Sequence, residues 1–325
     1  MPRSSASTSL LAPPSLSPSR APSVARPAAP PVAATAGYAA ASLGTVAVIG
    51  LGLIGGSVAR DLAALGVRVL GHDRDADVVR AAHRAGAVDA VLGAALEGVE
   101  AADVVLVAAP VDEGPRIVAA LAGRCAAARL VTDVGSTKRG IVDAAEAHGL
   151  GTRFVGAHPL AGDHRWGWPA SRRGLFAGAR VYLCPAAGVG AEAMALADAL
   201  WRLLGATPEC CDAAGHDELL AWSSHLPQVA ATALALTLQQ AGVARASLGP
   251  GGRDTTRLAG SSPALWAAIA RDNAAALATA VEQLERQLGE LRAALQGGDA
   301  AAVLARFGAA HAWFATEGDA TGATG

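Results

Sequence analysis

The sequence predicts a two-part chain: an α/β domain built on a parallel sheet, followed by an all-α domain. Three observations carry this prediction. Short, almost continuously apolar runs alternate with helical stretches from Thr45 to about Pro185. The first run ends in a glycine-rich turn that opens a helix. Beyond Asp212 only helix-length segments remain.

Val46–Ile49 is the first expected strand, and a helix from about Ile54 to Leu65 follows it. Val67–Leu70 is the second strand, ending at Asp73. Asp103–Ala109, Leu130–Asp133 and Phe154–Ala157 are further buried parallel strands. Helices are expected over roughly 213–242, 263–296 and 299–315, punctuated by Gly and Pro clusters at 249–252 and 297–298. The expected boundaries are an α/β domain over 43–188 and a helical domain over 189–318, with a short disordered tail over 319–325. Residues 1–42 are rich in Pro, Ser and Ala and poor in acids. They suit a disordered low-complexity extension or, alternatively, an organelle transit peptide.

The composition excludes several classes. A net charge of −2 gives no nucleic-acid footprint. No run of ~18 apolar residues is free of charge, so no membrane span is expected. Four cysteines without C-x-x-C spacing argue against a zinc site or a disulfide framework, and so for a reducing, cytoplasmic setting. Lys138 is the single lysine among 26 basic residues and Asn273 the single asparagine. Where arginine serves every generic positive charge, a retained lysine points to a need for its compact ammonium group.

Five segments carry chemistry. In VAVIGLGLIGGS, Gly50, Gly52 and Gly55 have G-x-G-x-x-G spacing, with Leu53 and Ile54 opening the helix. The pattern follows a strand, and an acid, Asp73, stands about 20 residues on, as in Rossmann-type dinucleotide sites. Asp73 favours NAD; Arg74 leaves NADP open through a 2′-phosphate. TDVGSTKRG places Ser136, Thr137 and Lys138 at a strand-to-helix junction, where Ser136 or Thr137 would cap the helix or border a ligand. FVGAHPLAG puts His158 at a strand's carboxyl end, suited to accept a proton from an alcohol as hydride leaves. SSHLPQVAA sets His225 and Gln228 on one helix face, as a buried polar network or part of a ligand site. GGRDTTRLAGSSPALW offers Arg257 as a carboxylate clamp, with Asp254 or solvent as its alternative partner.

Taken together these segments resemble the prephenate/arogenate dehydrogenase (TyrA) family over about residues 45–315. The resemblance implies NAD-dependent oxidative decarboxylation of prephenate to 4-hydroxyphenylpyruvate in tyrosine biosynthesis. The alternative is arogenate to tyrosine. A different two-domain Rossmann dehydrogenase or a silent NAD-binding protein stands further off. It further implies that His158 accepts the ring hydroxyl's proton and that Ser136 orients His158 and touches nicotinamide or hydroxyl. Arg257 would bind a substrate carboxylate, with His225 and Gln228 lining the pocket. Asp254 and Trp266 would lie near the substrate mouth at the dimer interface, and Lys138, singled out by its rarity, would stand behind the site. The helical domain would form a homodimer. The chain departs from the family pattern at Asp163 and His164, where an acidic Glu is frequent, and at Gln228, where prephenate-preferring members often carry His. No regulatory ACT domain is expected within these residues, and no metal.

Overall fold

The computed structural model describes residues 40–162 and 165–318. Most of the expected N-terminal extension, the departure at Asp163 and His164, and the tail over 319–325 lie outside the described residues. Ala40–Leu43, which joins the end of that extension to the α/β domain, forms a 3₁₀ turn with Leu43 fully buried.

Eight strands form one sheet: β1 Val46–Ile49, β2 Val69–His72, β3 Ala90–Val91, β4 Val104–Val107, β5 Leu130–Asp133, β6 Phe154–Pro159, β7 Arg180–Pro185 and β8 Thr207–Cys210. Their order is β3-β2-β1-β4-β5-β6-β7-β8. The strands from β3 through β6 pair in parallel, β7 is antiparallel to β6, and β8 is parallel to β7. Five helices flank them: α1 Leu53–Ala64, α2 Ala76–Arg84, α3 Gly114–Leu121, α4 Arg139–Ala147 and α5 Ala191–Leu203. Side chains alternate across each strand, so β1 serves two cores. Val46 and Val48 face the cluster that holds Val58, Leu62 and Leu200. Ala47 and Ile49 face the one that holds Val118, Leu121 and Ile141. Burial on both faces is why these strands are nearly all aliphatic.

The sheet runs further than the expected boundary at residue 188. Helix α5 buries Leu196, Leu200 and Trp201 against it, and β8 adds a last strand ending at Cys210. The sequence signal fails there because β8 is a half-buried edge strand, Thr-Pro-Glu-Cys, whose proline is tolerated only at an edge.

The helical half comprises α6 Ala213–Leu220, α7 Leu226–Gln240, α8 Pro250–Thr256, α9 Pro263–Asp272, α10 Ala274–Gln296 and α11 Ala300–Gly318. Three local corrections apply. The expected helix over 213–242 opens into a π turn at Ala221–His225. The expected helix over 263–296 breaks at Asn273. The cluster at 249–252 starts α8 instead of interrupting helices, because Pro250 is suited to a first helical position.

The strand order reverses direction between β1 and β4. Ligands of such sheets bind in the crevice this reversal leaves at the carboxyl ends. The loops after β1, β4, β5 and β6 emerge on that edge; α6 reaches it through Asp217, and α9 through Ala268 and Ile269 packed on Val111.

Candidate active site

After Ile49 the chain turns through Gly50 and Gly52 into α1. Gly50 has φ +97°, and a Cβ there would lie 2.3 Å from the Ala108 carbonyl oxygen. A Cβ at Gly55 would meet the Gly50 carbonyl oxygen at 2.0 Å, so both positions require glycine. Gly52 is different: nothing lies within 4 Å of its Cβ direction, and no side chain caps the helix it begins. An open backbone at an uncapped helix N-terminus is what a pyrophosphate needs. Leu53 and Ile54, both half-buried, form the first turn. Asp73 accepts hydrogen bonds from Leu51 N (2.8 Å) and Asp75 N (3.0 Å), tying the glycine loop to the end of β2. Its remaining lone pairs are free for a ribose hydroxyl. Arg74 is exposed, with no ion pair among the described residues. These residues fit a dinucleotide.

Across the crevice lies a buried polar cluster. Lys138 is fully buried, and its Nζ donates to the Asp133 carboxylate and to the Ala157 carbonyl oxygen (2.7 Å). Asp133 also accepts from Gly135 N (2.7 Å) and Ala157 N (3.2 Å). Burial raises its pKa, against the pull of Lys138 and these two amides. The lysine thus bridges β5 to β6 next to His158. His158 is 9% exposed, and its Nδ1 lies 2.9 Å from His216 Nε2. His216 Nδ1 in turn lies 2.7 Å from Asp217 Oδ1. Burial holds His158 well below the usual histidine range; the nearby His216, Lys138 and His225 push it the same way. Burial also lowers His216, outweighing Asp217. Burial opposes ionisation of Asp217, but hydrogen bonds from His216 and the Arg139 and Lys138 amides prevail and its pKa falls. The histidines are therefore neutral and Asp217 ionised near pH 7.

Asp217 also caps α4. Lys138 N and Arg139 N donate to its two carboxylate oxygens at 2.8 and 2.9 Å. The expected cap from Ser136 or Thr137 is absent, because a carboxylate from the helical half occupies the position. Ser136 is half-buried and makes no hydrogen bond among the described residues, so the partner of His158 Nδ1 in the structure is His216 and not Ser136. From the sequence His216 reads only as a helix cap, a place that Asp212 takes in the structure, and Asp217 carries no mark. The AAGHDELL segment gives no glycine turn or strand end to single them out, and their contacts to Lys138 and His158 span more than 50 residues.

The helical wall carries the other candidates. His225, at the end of the π turn, is buried, and burial pushes its pKa down to about 4. Its ring meets Trp266 edge-on at 5.9 Å. Asn273 donates to the Asp217 carbonyl oxygen (2.7 Å) and contacts His225 Nδ1 (3.2 Å), which explains the lone asparagine at the helix break. Gln228 donates through Nε2 to the Leu258 carbonyl oxygen (2.8 Å), while its buried Oε1 has no partner. Arg257 and Asp254 are exposed and form no ion pair with each other. The structure thus gathers His158, Lys138, His225 and Asn273 into one network through Asp217.

Comparison with known proteins agrees with this architecture. Residues 58–209 match the family model for the prephenate dehydrogenase nucleotide-binding domain, and residues 212–308 match the prephenate dehydrogenase dimerization domain. The chain belongs to the prephenate dehydrogenase family. The join between the two family domains falls just after β8, where the sheet ends. A relative in this family, the cyclohexadienyl dehydrogenase of Zymomonas mobilis, is 33% identical over 270 residues, covering 81% of this chain and 92% of that protein. The Aquifex aeolicus prephenate dehydrogenase, solved with hydroxyphenyl propionate and NAD⁺, superposes with a TM-score of 0.77 at 28% identity, covering 84% and 98% of the two chains. Synechocystis arogenate dehydrogenase superposes with a TM-score of 0.72 at 26% identity, covering 84% and 99%.

Proposed function

We propose that this member of the prephenate dehydrogenase family is an NAD-dependent prephenate dehydrogenase. It would oxidise and decarboxylate prephenate to 4-hydroxyphenylpyruvate for tyrosine biosynthesis. The observation that carries the reading is His158: a neutral histidine at the carboxyl end of β6, in the crevice faced by the open glycine loop. A neutral imidazole accepts the proton of the ring hydroxyl as the ring carbon is oxidised. Gly50, Gly52, Gly55, Leu53 and Ile54 hold the pyrophosphate and Asp73 the ribose; exposed Arg74 keeps NADP as the second cofactor choice. The chemistry supplied by NAD, when bound, is acceptance of the hydride from ring C4. Arg257, unpaired among the described residues, binds a substrate carboxylate, and His225 and Gln228 line the pocket beside Trp266. Ser136, without a hydrogen-bond partner, faces the substrate hydroxyl or the nicotinamide. Lys138 and Asp254 act from behind these groups.

Arogenate is the second reading: Gln228 brings no positive charge to the pocket, and Synechocystis arogenate dehydrogenase, at 26% identity, has the same fold. Steady-state kinetics with prephenate and arogenate, each with NAD⁺ and NADP⁺, decides. NADH and 4-hydroxyphenylpyruvate from prephenate are expected. Turnover of arogenate alone overturns the substrate choice, and turnover of neither overturns the enzyme reading.

A homodimer through the helical half belongs to the same proposal. Leu304, Phe307, Trp313 and Phe314 on α11 are each more than half exposed, a large apolar surface to leave in water. Sedimentation at micromolar concentration should give twice the chain mass. Among the described residues no helix is long and apolar enough to cross a membrane. Cytoplasmic placement, with an organelle as the alternative, rests on the cysteine pattern of the sequence.

A further inference from the structure

We propose that Asp217 and His216 are a positioning pair that fixes the tautomer of His158, so that its Nε2 carries the bare lone pair. The inference rests on the reading of His158 as proton acceptor. It names two residues from the helical half as what makes that histidine a base.

The assignment follows from donor and acceptor counting along the chain of contacts. An ionised carboxylate can only accept, so at 2.7 Å the His216 Nδ1 carries the proton and donates to Asp217 Oδ1. A neutral imidazole holds one ring proton, so His216 Nε2 is an acceptor. His158 Nδ1, 2.9 Å away, must then be the donor. His158 is neutral too, so its single proton is spent on Nδ1 and its Nε2 is bare. That nitrogen has no protein partner among the described residues and is not among the sealed, unsatisfied atoms. Free histidine ordinarily prefers its proton on Nε2, the arrangement that cannot accept. The pair therefore reverses an intrinsic preference.

Other groups hold the pair still. The Tyr182 ring meets His216 edge-on at 5.5 Å, and His158 meets it at 5.1 Å. Asp217 is anchored by the Lys138 and Arg139 amides and, at its own carbonyl oxygen, by Asn273. The charged and titratable groups that act on His158 and His216 are Lys138, His225, Asp217 and Asp133. His216 is fully buried, so no water competes for the link.

The test is long-range ¹H–¹⁵N correlation on the full-length ¹⁵N-labelled protein at pH 7. The His158 signals are assigned by their loss in His158→Asn. A protonated Nδ1 and bare Nε2 are expected; a protonated Nε2 overturns the proposal. In Asp217→Leu, His216 Nδ1 loses its acceptor and the His216 proton is free to move to Nε2 and be donated to His158 Nδ1, so His158 should flip to the Nε2–H form. Its kcat should then fall about 10²–10⁴-fold with KM little changed, as when the aspartate of a serine protease triad becomes asparagine. Because that variant also weakens the α4 cap, His216 is varied as well. His216→Leu removes the acceptor, whereas His216→Gln restores one at similar reach. Recovery of most of the kcat and of the tautomer in the glutamine variant alone supports the pair. Equal loss in both variants, with the His158 tautomer unchanged, shows a packing role and overturns it. A wild-type Nδ1–H signal in an enzyme indifferent to His158→Asn upholds the pair while removing the base role from His158.

Discussion

The two sides of the crevice are built in opposite ways. The cofactor side is backbone: a turn that only glycine permits, an uncapped helix start and one carboxylate tying the loop to β2, all within a single βαβ unit. The His158 side is buried side chains drawn from β5, β6, the α4 entry, α6, the π turn and the α9–α10 junction. Only the second side depends on both halves of the chain. Backbone sites tolerate substitution wherever space is open. Buried polar networks tolerate almost none, because each member removed leaves another group unsatisfied in a low-dielectric interior.

This contrast can be broken by experiment. The largest effect is expected at His158: His158→Asn should lower kcat for prephenate by about 10²–10⁴-fold with a native circular dichroism spectrum. Near-normal kcat would leave the polar side without its chemical purpose. Next comes Lys138→Met, which leaves Asp133 buried opposite no cation and should lose about 3–5 kcal/mol in urea unfolding. Lys138→Arg should also be impaired, since a fully buried slot between Asp133 and the Ala157 carbonyl oxygen has no space for a guanidinium.

Acid should expose the same asymmetry. His225 is lowered from 6.5 to about 4. The unfolded chain therefore binds a proton there at a higher pH than the native state does. Stability is constant above about pH 6.5 and falls as pH drops toward 4, by about 3 kcal/mol from this residue. His158 and His216 are lowered too and act with the same sign. Urea midpoints at pH 7 and pH 5 measure this, and equal midpoints would mean that the histidines are not held neutral by burial. The smallest effect is expected at Gly52. Gly52→Ala enters open space, so unfolding should change little while NAD⁺ affinity falls roughly tenfold, about 1.4 kcal/mol. A large loss of stability there would remove the distinction between the two sides.

The same contrast decides what could be read without coordinates. The strands were legible because Val46–Ile49 and Val104–Val107 are buried on both faces, and that demand prints an uninterrupted aliphatic run. The glycine loop was legible because its reasons are local. β8 was not, since an edge strand needs neither apolar residues nor an N–H at every position. Lys138 drew attention only as the single lysine, and its partners Asp133 and Ala157 turn that oddity into a reason. Asp217 gave no signal, because a cap supplied from 79 residues away in sequence has no local spelling, and His216 read only as a helix cap. Ser136 misled for the converse reason: a serine before a helix suggests a cap even when another residue has taken the position.

The cap that Asp217 places on α4 has an evolutionary consequence. A nucleotide-binding domain is usually treated as a portable part, exchangeable among enzymes with different substrate domains. Here the portable part is left with an uncapped helix and a histidine holding its proton on the wrong nitrogen until one particular foreign carboxylate arrives. A chimera that joined this sheet to a different helical domain would inherit the cofactor loop intact but not a working base, so the two halves are bound to change together.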